Sequence, residues 1–263
     1  MMTTALATVG IGTAVVATLM FVLWLIHLAM KNASIVDAGW AGGIGTLAIV
    51  YALRAEGDPL RAWVIASMGA LWGLRLASHL LKRILGEPEE GRYVQLRRDW
   101  KTNLGLKFFV FFEFQAVLGV VLSIPLLIPT LNPRPGLSIL EIAGVALWLV
   151  AIAGEAIADA QLRGFKADPS NRGRTCRAGL WNYSRHPNYF FEWLIWVSFA
   201  LFALGSPWGW LGLVSPALIL YFLLKVTGIP ATEAQSLRSR GEEYRRYQET
   251  TSAFVPWFHK RIS

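Results

Sequence analysis

Seven stretches of mainly apolar residues recur along this chain, near 5–30, 36–53, 60–82, 106–129, 138–162, 189–204 and 208–228. A helix needs about 17–25 apolar residues to cross the hydrocarbon core of a bilayer. Runs of that length leave few options, because every backbone polar group inside lipid must be satisfied within the protein. The expected fold is all-α, an integral membrane bundle of about seven transmembrane helices. The sixth run is short and suits a tilted or partly interfacial helix. Composition agrees: only 16% of the 263 residues are charged, against about 25% in soluble domains.

Charge placement orients the bundle. Of the 25 Lys and Arg residues, 20 fall on one side of the expected membrane, in 82–107, in 163–188, in the tail and at Lys31. Arg54, Arg61 and Arg134 fall on the other side, and Arg75 and Lys225 lie within spans. The positive-inside rule then puts the N-terminus of this multi-pass membrane protein outside and its C-terminus in the cytoplasm. The first run has no basic residue ahead of it and no small-residue cleavage site, which reads as a retained helix.

The net charge of +8 sits in short loops against the membrane. That argues against nucleic acid as a partner and for membrane lipids or a phosphate-bearing cofactor. Cys176 is the single cysteine, so neither a disulfide nor a multi-thiolate metal site can form within one chain. The four histidines (His27, His79, His186, His259) show no paired ligand spacing, and no metal is expected. His27 reads as a satisfied interior residue.

The whole chain, 1–263, reads as one membrane-embedded domain. Residues 82–107 suit a short interfacial helix. Residues 163–188 contain Pro169, Gly173 and Gly179 and cannot form one helix. The tail reads as an amphipathic helical segment from about 232 to 248, breakable at Gly241, with Tyr244 and Tyr247 as a packing face. An apolar stop, residues 254–258, follows and could pack the tail back onto the bundle.

The densest polar cassette is G-L-W-N-Y-S-R-H-P-N-Y-F-F-E, residues 179–192, set directly against an apolar run. Ionisable groups at bilayer depth are costly and usually mark a ligand or proton pathway. Asn188 and Glu192, four apart, share a helix face at the mouth of the span. In the fifth run Glu155 and Asp159 share a face in the same way. Two carboxylates there must point into the protein, and with Lys166 and Arg174 downstream they would line a pocket carrying both charge signs. Carboxylates suit ribose or amide hydrogen bonds, and cations suit phosphates. Structural ion pairs between helices are the competing reading. Arg75 and His79 are also four apart in the third run, and Asp37 in the second could pair with either. Arg92 and Tyr93, in the first long basic loop, could close over a phosphate or base, or be solvated loop residues.

On these residues the chain resembles the steroid 5-alpha-reductase-like membrane proteins, in particular their bacterial branch. The resemblance runs through E-x3-D (155–159), K-A-D-P (166–169), G-L-W-x-Y-S-R-H-P-N-Y-x2-E (179–192), E-x7-G-x2-Y-x2-Y (233–247) and V-P-W-F (255–258). It continues more loosely through S-I-V-D-A-G-W (34–40) and W-G-L-R-L (72–76). The R-H-P-N-Y core is shared with sterol reductases and isoprenylcysteine methyltransferases. The resemblance implies NADPH held in the cytoplasmic half of a seven-helix bundle in a bacterial inner membrane, with residues 155–258 as the cofactor-binding half. By position it implies cofactor-binding roles for Glu155, Asp159, Lys166, Arg174, Trp181, Arg185, His186, Asn188, Tyr189, Glu192 and Glu233. Glu155 stands where the steroid reductases have an Asn, and Lys166 replaces an Arg. Two departures stand out. The sterol-reductase tail has an Arg-Asp pair before its Glu, where this chain has Ala231-Thr232 before Glu233. The Glu and Tyr that hold the substrate carbonyl in the steroid reductases have Asp37 and Trp72 as nearest counterparts, so that donor pair is completed only if His79 or Tyr93 substitutes.

The function this implies is NADPH-dependent reduction of a carbon–carbon double bond in a lipophilic, steroid-like enone, with Asp37, His79 and Tyr93 as candidate catalytic residues. The alternative is an S-adenosylmethionine-dependent methyltransferase acting on a lipidated or lipophilic acceptor. A non-enzymatic lipid-binding scaffold is the third reading. Four cations beside the cassette, Lys166, Arg172, Arg174 and Arg177, favour a ligand with several phosphates. Oligomeric state is left open by the sequence.

Overall fold

A computed structural model describes residues 2–258; His259 lies outside them. The described residues are helical, with one isolated bridge between Ser184 and Ser252. Among the described residues, six helical stretches are long and apolar enough to cross a membrane: Thr3–Met30, Ile35–Leu53, Pro59–Gly86, Leu104–Leu122, Ile139–Ala167 and Gly209–Arg240. This is a multi-pass membrane protein. The sixth expected run forms a 17-residue helix, which rises about 26 Å at 1.5 Å per residue, short of the roughly 30 Å hydrocarbon core.

The chain divides into two compact units, Met1–Glu141 with Phe202–Gly212, and Ile142–Leu201 with Leu213–Ser263. The first is built on α1 (Met2–Met30), α2 (Ile35–Leu53), α3 (Pro59–Gly86), α4 (Gly91–Trp100), α5 (Leu104–Leu122) and the single turn α6 (Ile124–Leu127). Of the six long apolar stretches α2 is the most buried and α1 the least. Helix α2 is therefore the core, and α1 carries large exposed apolar side chains such as Leu6, Phe21 and Leu25. Small residues let α2 and α3 touch along their backbones: a Cβ on Gly73 would lie 2.7 Å from the Ala41 carbonyl oxygen. Such contacts replace the hydrophobic drive that lipid does not supply between helices. His27 is buried, with Nδ1 2.7 Å from the Trp24 carbonyl and its ring against Phe108 and Phe112.

Arg61, which the charge count places on the outer side of the membrane, is 2% exposed. Its Nε donates to Glu141 Oε1 at 2.5 Å, and its two Nη atoms donate to the carbonyls of Asn132, Arg134 and Gly136. Glu141 is also held by a capping box: Ser138 N–H donates to Glu141 Oε2 at 2.6 Å, and Glu141 N–H donates to Ser138 Oγ at 3.4 Å. The S-x-x-E spacing in front of an apolar run carries that signature.

The second unit contains most of α7 (Ile139–Ala167), the loop 168–186, α8 (Pro187–Ala203), α9 (Val214–Tyr221), α10 (Ile229–Arg240) and α11 (Glu242–Thr250). Gly154 of α7 receives the Phe191 ring of α8 where a Cβ would overlap it. Helix α9 runs into a π-helical turn, Phe222–Val226, and the chain breaks at Thr227–Gly228 before α10. The expected break at Gly241, with φ +55°, separates α10 from α11. Tyr244 and Tyr247 are both buried, as a packing face requires.

Candidate functional site

In the first unit the polar centre is Asp37. It stands in the first turn of α2, where the positive end of the helix dipole favours a carboxylate. Arg92 Nη2 donates to its Oδ2 at 2.5 Å, and the Tyr93 hydroxyl donates to its Oδ1 at 2.7 Å. These partners arrive on α4, the short helix expected within 82–107. The preceding turn is clipped to the start of α2: Ala33 N–H donates to Glu89 Oε1 at 2.6 Å, and Glu90 N–H donates to Ser34 Oγ at 3.0 Å. Glu89 is held in turn by Arg97. Tyr93 is thus 1% exposed, where a solvated loop residue would be open. Burial, and the Asp37 charge beside it, push its phenol well above the ordinary value. Ser34, Asp37, Leu80, Arg83 and Glu90 line a small cleft beside this cluster. His79, the third candidate, lies on α3 with an exposed side chain. Trp72 is fully buried and packs edge-on to Trp40.

In the second unit the cassette turns the corner from the loop into α8. Trp181 is buried, its indole N–H donating to the Ala158 carbonyl of α7 at 2.9 Å. Asn188 Nδ2 donates to Asp159 Oδ1 at 3.3 Å. Asn188 and Asp159 lie on different helices, so this weak bond joins the two faces that carry Asn188/Glu192 and Glu155/Asp159. Glu155 is 5% exposed, and Glu192 Oε1 accepts from the Trp196 indole at 2.9 Å. The Tyr189 ring stacks on His186, and its hydroxyl lies 3.2 Å from Thr232 Oγ1.

Arg185 and His186 face protein. Arg185 Nε donates to Glu233 Oε1 at 2.7 Å, and its Nη1 donates to the carbonyls of Gln248 at 3.0 Å and Thr251 at 2.5 Å. His186 Nε2 donates to the same Glu233 oxygen at 3.2 Å, and Gln248 Nε2 donates to Glu233 Oε2 at 2.8 Å. Ser184 Oγ donates to the Phe254 carbonyl at 2.8 Å, and Trp257 N–H donates to the Tyr183 carbonyl at 2.9 Å. Phe254 packs on Phe190 and Trp193. The apolar stop therefore folds the tail back onto the start of α8, and the cassette's arginine is the clamp that holds it.

Lys166, Arg172 and Arg174 are exposed on the end of α7 and the loop after it. Phosphate contacts would fall to these cations, because Arg185 is committed to Glu233 and two carbonyls. Glu155, Asp159 and Glu192 are acceptors suited to ribose hydroxyls or a carboxamide. This donor and acceptor set fits a phosphate-bearing nucleotide. Two residues missed in the sequence order this region. Thr175 N–H donates to Glu243 Oε1 at 3.1 Å and its hydroxyl donates to Glu243 Oε2, while Tyr247 O–H donates to the Trp181 carbonyl. Glu243 and Thr175 are 68 residues apart, and no local pattern links them.

Apolar helices of spanning length, with polar clusters tied by charge-assisted bonds, define a multi-pass membrane protein with organised interior polar sites. The chain belongs to the family described as "Protein of unknown function (DUF1295)", whose model matches residues 23–251. That family is related to the steroid 5-alpha-reductase-like proteins. An uncharacterized protein of Schizosaccharomyces pombe is 27% identical over 271 residues, covering 89% of this chain and 76% of that protein. No solved structure matches.

Proposed function

We propose that this protein is an NADPH-dependent reductase of an activated carbon–carbon double bond in a lipophilic enone. The observation that carries the reading is the Asn188–Asp159 hydrogen bond. Two residues assigned to one cofactor site by resemblance, 29 positions apart, stand in contact. Lys166, Arg172 and Arg174 take the phosphates, and Glu155, Asp159 and Glu192 take ribose and amide groups. Bound NADPH supplies the hydride for the β-carbon of the enone. The Asp37–Tyr93 hydrogen bond supports the donor pair that the sequence left incomplete. Asp37, paired with Arg92, holds the Tyr93 hydroxyl, whose one proton is the group this cluster would turn from Asp37 to a carbonyl oxygen as charge develops there. His79, exposed on α3, plays no part in this assignment.

The same reading takes α8 as a seventh, tilted span, with the N-terminus outside and the C-terminus in the cytoplasm of a bacterial inner membrane. It places the protein with the reductases of its superfamily. Thermal-shift titration of the detergent-purified protein with NADPH, NADH and S-adenosylmethionine tests it. Stabilisation by NADPH above NADH is expected. Stabilisation by S-adenosylmethionine alone would assign the methyltransferase reaction, and no response to any of the three would leave a scaffold.

A further inference from the structure

The loop that carries the exposed arginines is tied at two points. On one side Asn171 Nδ2 donates to the Phe165 carbonyl at the end of α7, at 3.0 Å. On the other, Glu243 of α11 receives both the N–H and the hydroxyl of Thr175. Between the ties lie Arg172, Gly173 and Arg174. Gly173 has φ +80° and forms a tight turn, closed by Arg174 N–H donating to the Asn171 carbonyl at 2.9 Å. Arg177 extends the second tie: its Nη2 donates to the Glu243 carbonyl at 3.2 Å, and its guanidinium stacks over the Tyr247 ring.

A carboxylate beside a basic loop normally competes with any anionic ligand, yet both oxygens of Glu243, on α11, accept from Thr175. We propose that Glu243 is a positioning residue that braces the Arg172–Arg174 turn from the tail, and so sets selectivity for a nucleotide bearing an additional phosphate monoester. The inference rests on the reductase reading above and names the element that tunes it. Two guanidiniums displayed from one tied turn are preorganised for a dianionic phosphate. The same arginines on an untied loop would lose entropy on binding it. Glu243 acts through Thr175 and touches no ligand itself.

The test measures NADPH and NADH dissociation constants for the full-length protein in detergent, with hydrogen exchange over residues 170–178. In Glu243→Ala the NADPH constant is expected to rise about tenfold while the NADH constant stays within about twofold, as loss of one preorganised charge-assisted contact predicts. Exchange over 170–178 should rise in the same variant. Thr175→Val keeps the backbone tie and loses only the hydroxyl, so a smaller drop in the NADPH/NADH preference, about threefold, is expected there even if Glu243→Ala does not fold. Faster exchange with an unchanged preference overturns the proposal, and so does an equal rise in both constants. Failure of the wild-type protein to bind either nucleotide defeats the reductase reading itself, and is told apart because it precedes any comparison of variants.

Discussion

Replacing Arg185 by Met separates a clamp from a ligand contact. The guanidinium makes one bond to the Glu233 carboxylate and two to the carbonyls of Gln248 and Thr251, and the two side chains are 10% and 15% exposed. Breaking a fully buried pair costs about 3–5 kcal/mol, and the residual exposure of this one trims that figure. Each orphaned carbonyl adds about 1 kcal/mol. The expected loss is about 4 kcal/mol, or a fall of about 10 °C in the unfolding midpoint for a chain of this size. Adding Glu233→Gln removes the stranded carboxylate and should recover about 1 kcal/mol. The remainder stays lost, since both carbonyls are still without the arginine. Tryptophan fluorescence melts in detergent give the midpoints, and hydrogen exchange over 242–258 reports the tail. A midpoint within about 2 °C of wild type, with the tail equally protected, would refute the clamp.

Arg61→Met should destabilise more than Glu141→Gln in the same melts, by about 2 kcal/mol, because the arginine also satisfies three carbonyls; equal losses would show that the ion pair alone matters. Asp37→Asn should leave the NADPH dissociation constant unchanged and cut turnover of an enone about 10²–10³-fold; loss of nucleotide binding instead would make Asp37 structural. In alkali, burial holds Tyr244 up at about 12 and raises Tyr93 and Tyr247 as well. A raised folded-state value contributes stability that is complete below the unfolded value of about 10 and is lost as pH rises through the folded one. Phenolate absorbance should therefore appear together with unfolding, and Tyr244→Phe should flatten the fall in stability above pH ~10; independent titration near pH ~10 in the folded protein would contradict the burial argument.

How far the sequence reaches follows from how far each interaction reaches along the chain. The break at Gly241 and the Tyr244/Tyr247 face are local, set by turns of one helix, and they appear where the pattern puts them; of the apolar runs, the fourth stops at Leu122 ahead of Pro125 and the sixth makes a helix of 17 residues. The capping box at Ser138 and Glu141 is local too and was readable, though its apolar neighbours drew it into a span. Arg61 was different. As a cation beside a helix start it counts toward topology, and only the fold, by bringing Glu141 from 80 positions away, turns it into a buried tie. The site divides in the same way. Asn188 with Glu192 and Asp159 with Glu155 are legible as two separate i,i+4 faces, and the contact between those faces needs the α7–α8 approach that Gly154 permits. In sequence Tyr93 reads either as a residue that closes over a phosphate or base or as a solvated loop residue, and it is interior because Glu89 and Glu90 pin its turn to the start of α2. Arg185 carries the opposite lesson. A motif arginine beside an expected cofactor invites a phosphate, but its geometry is spent on carbonyls of a tail 63–66 residues downstream. If the R-H-P core is first a clamp for the tail, it can be shared by enzymes with different cofactors without specifying any of them. Cofactor choice would then rest on the residues the clamp holds in place, among them the Arg172–Arg174 turn and the Glu243 brace behind it.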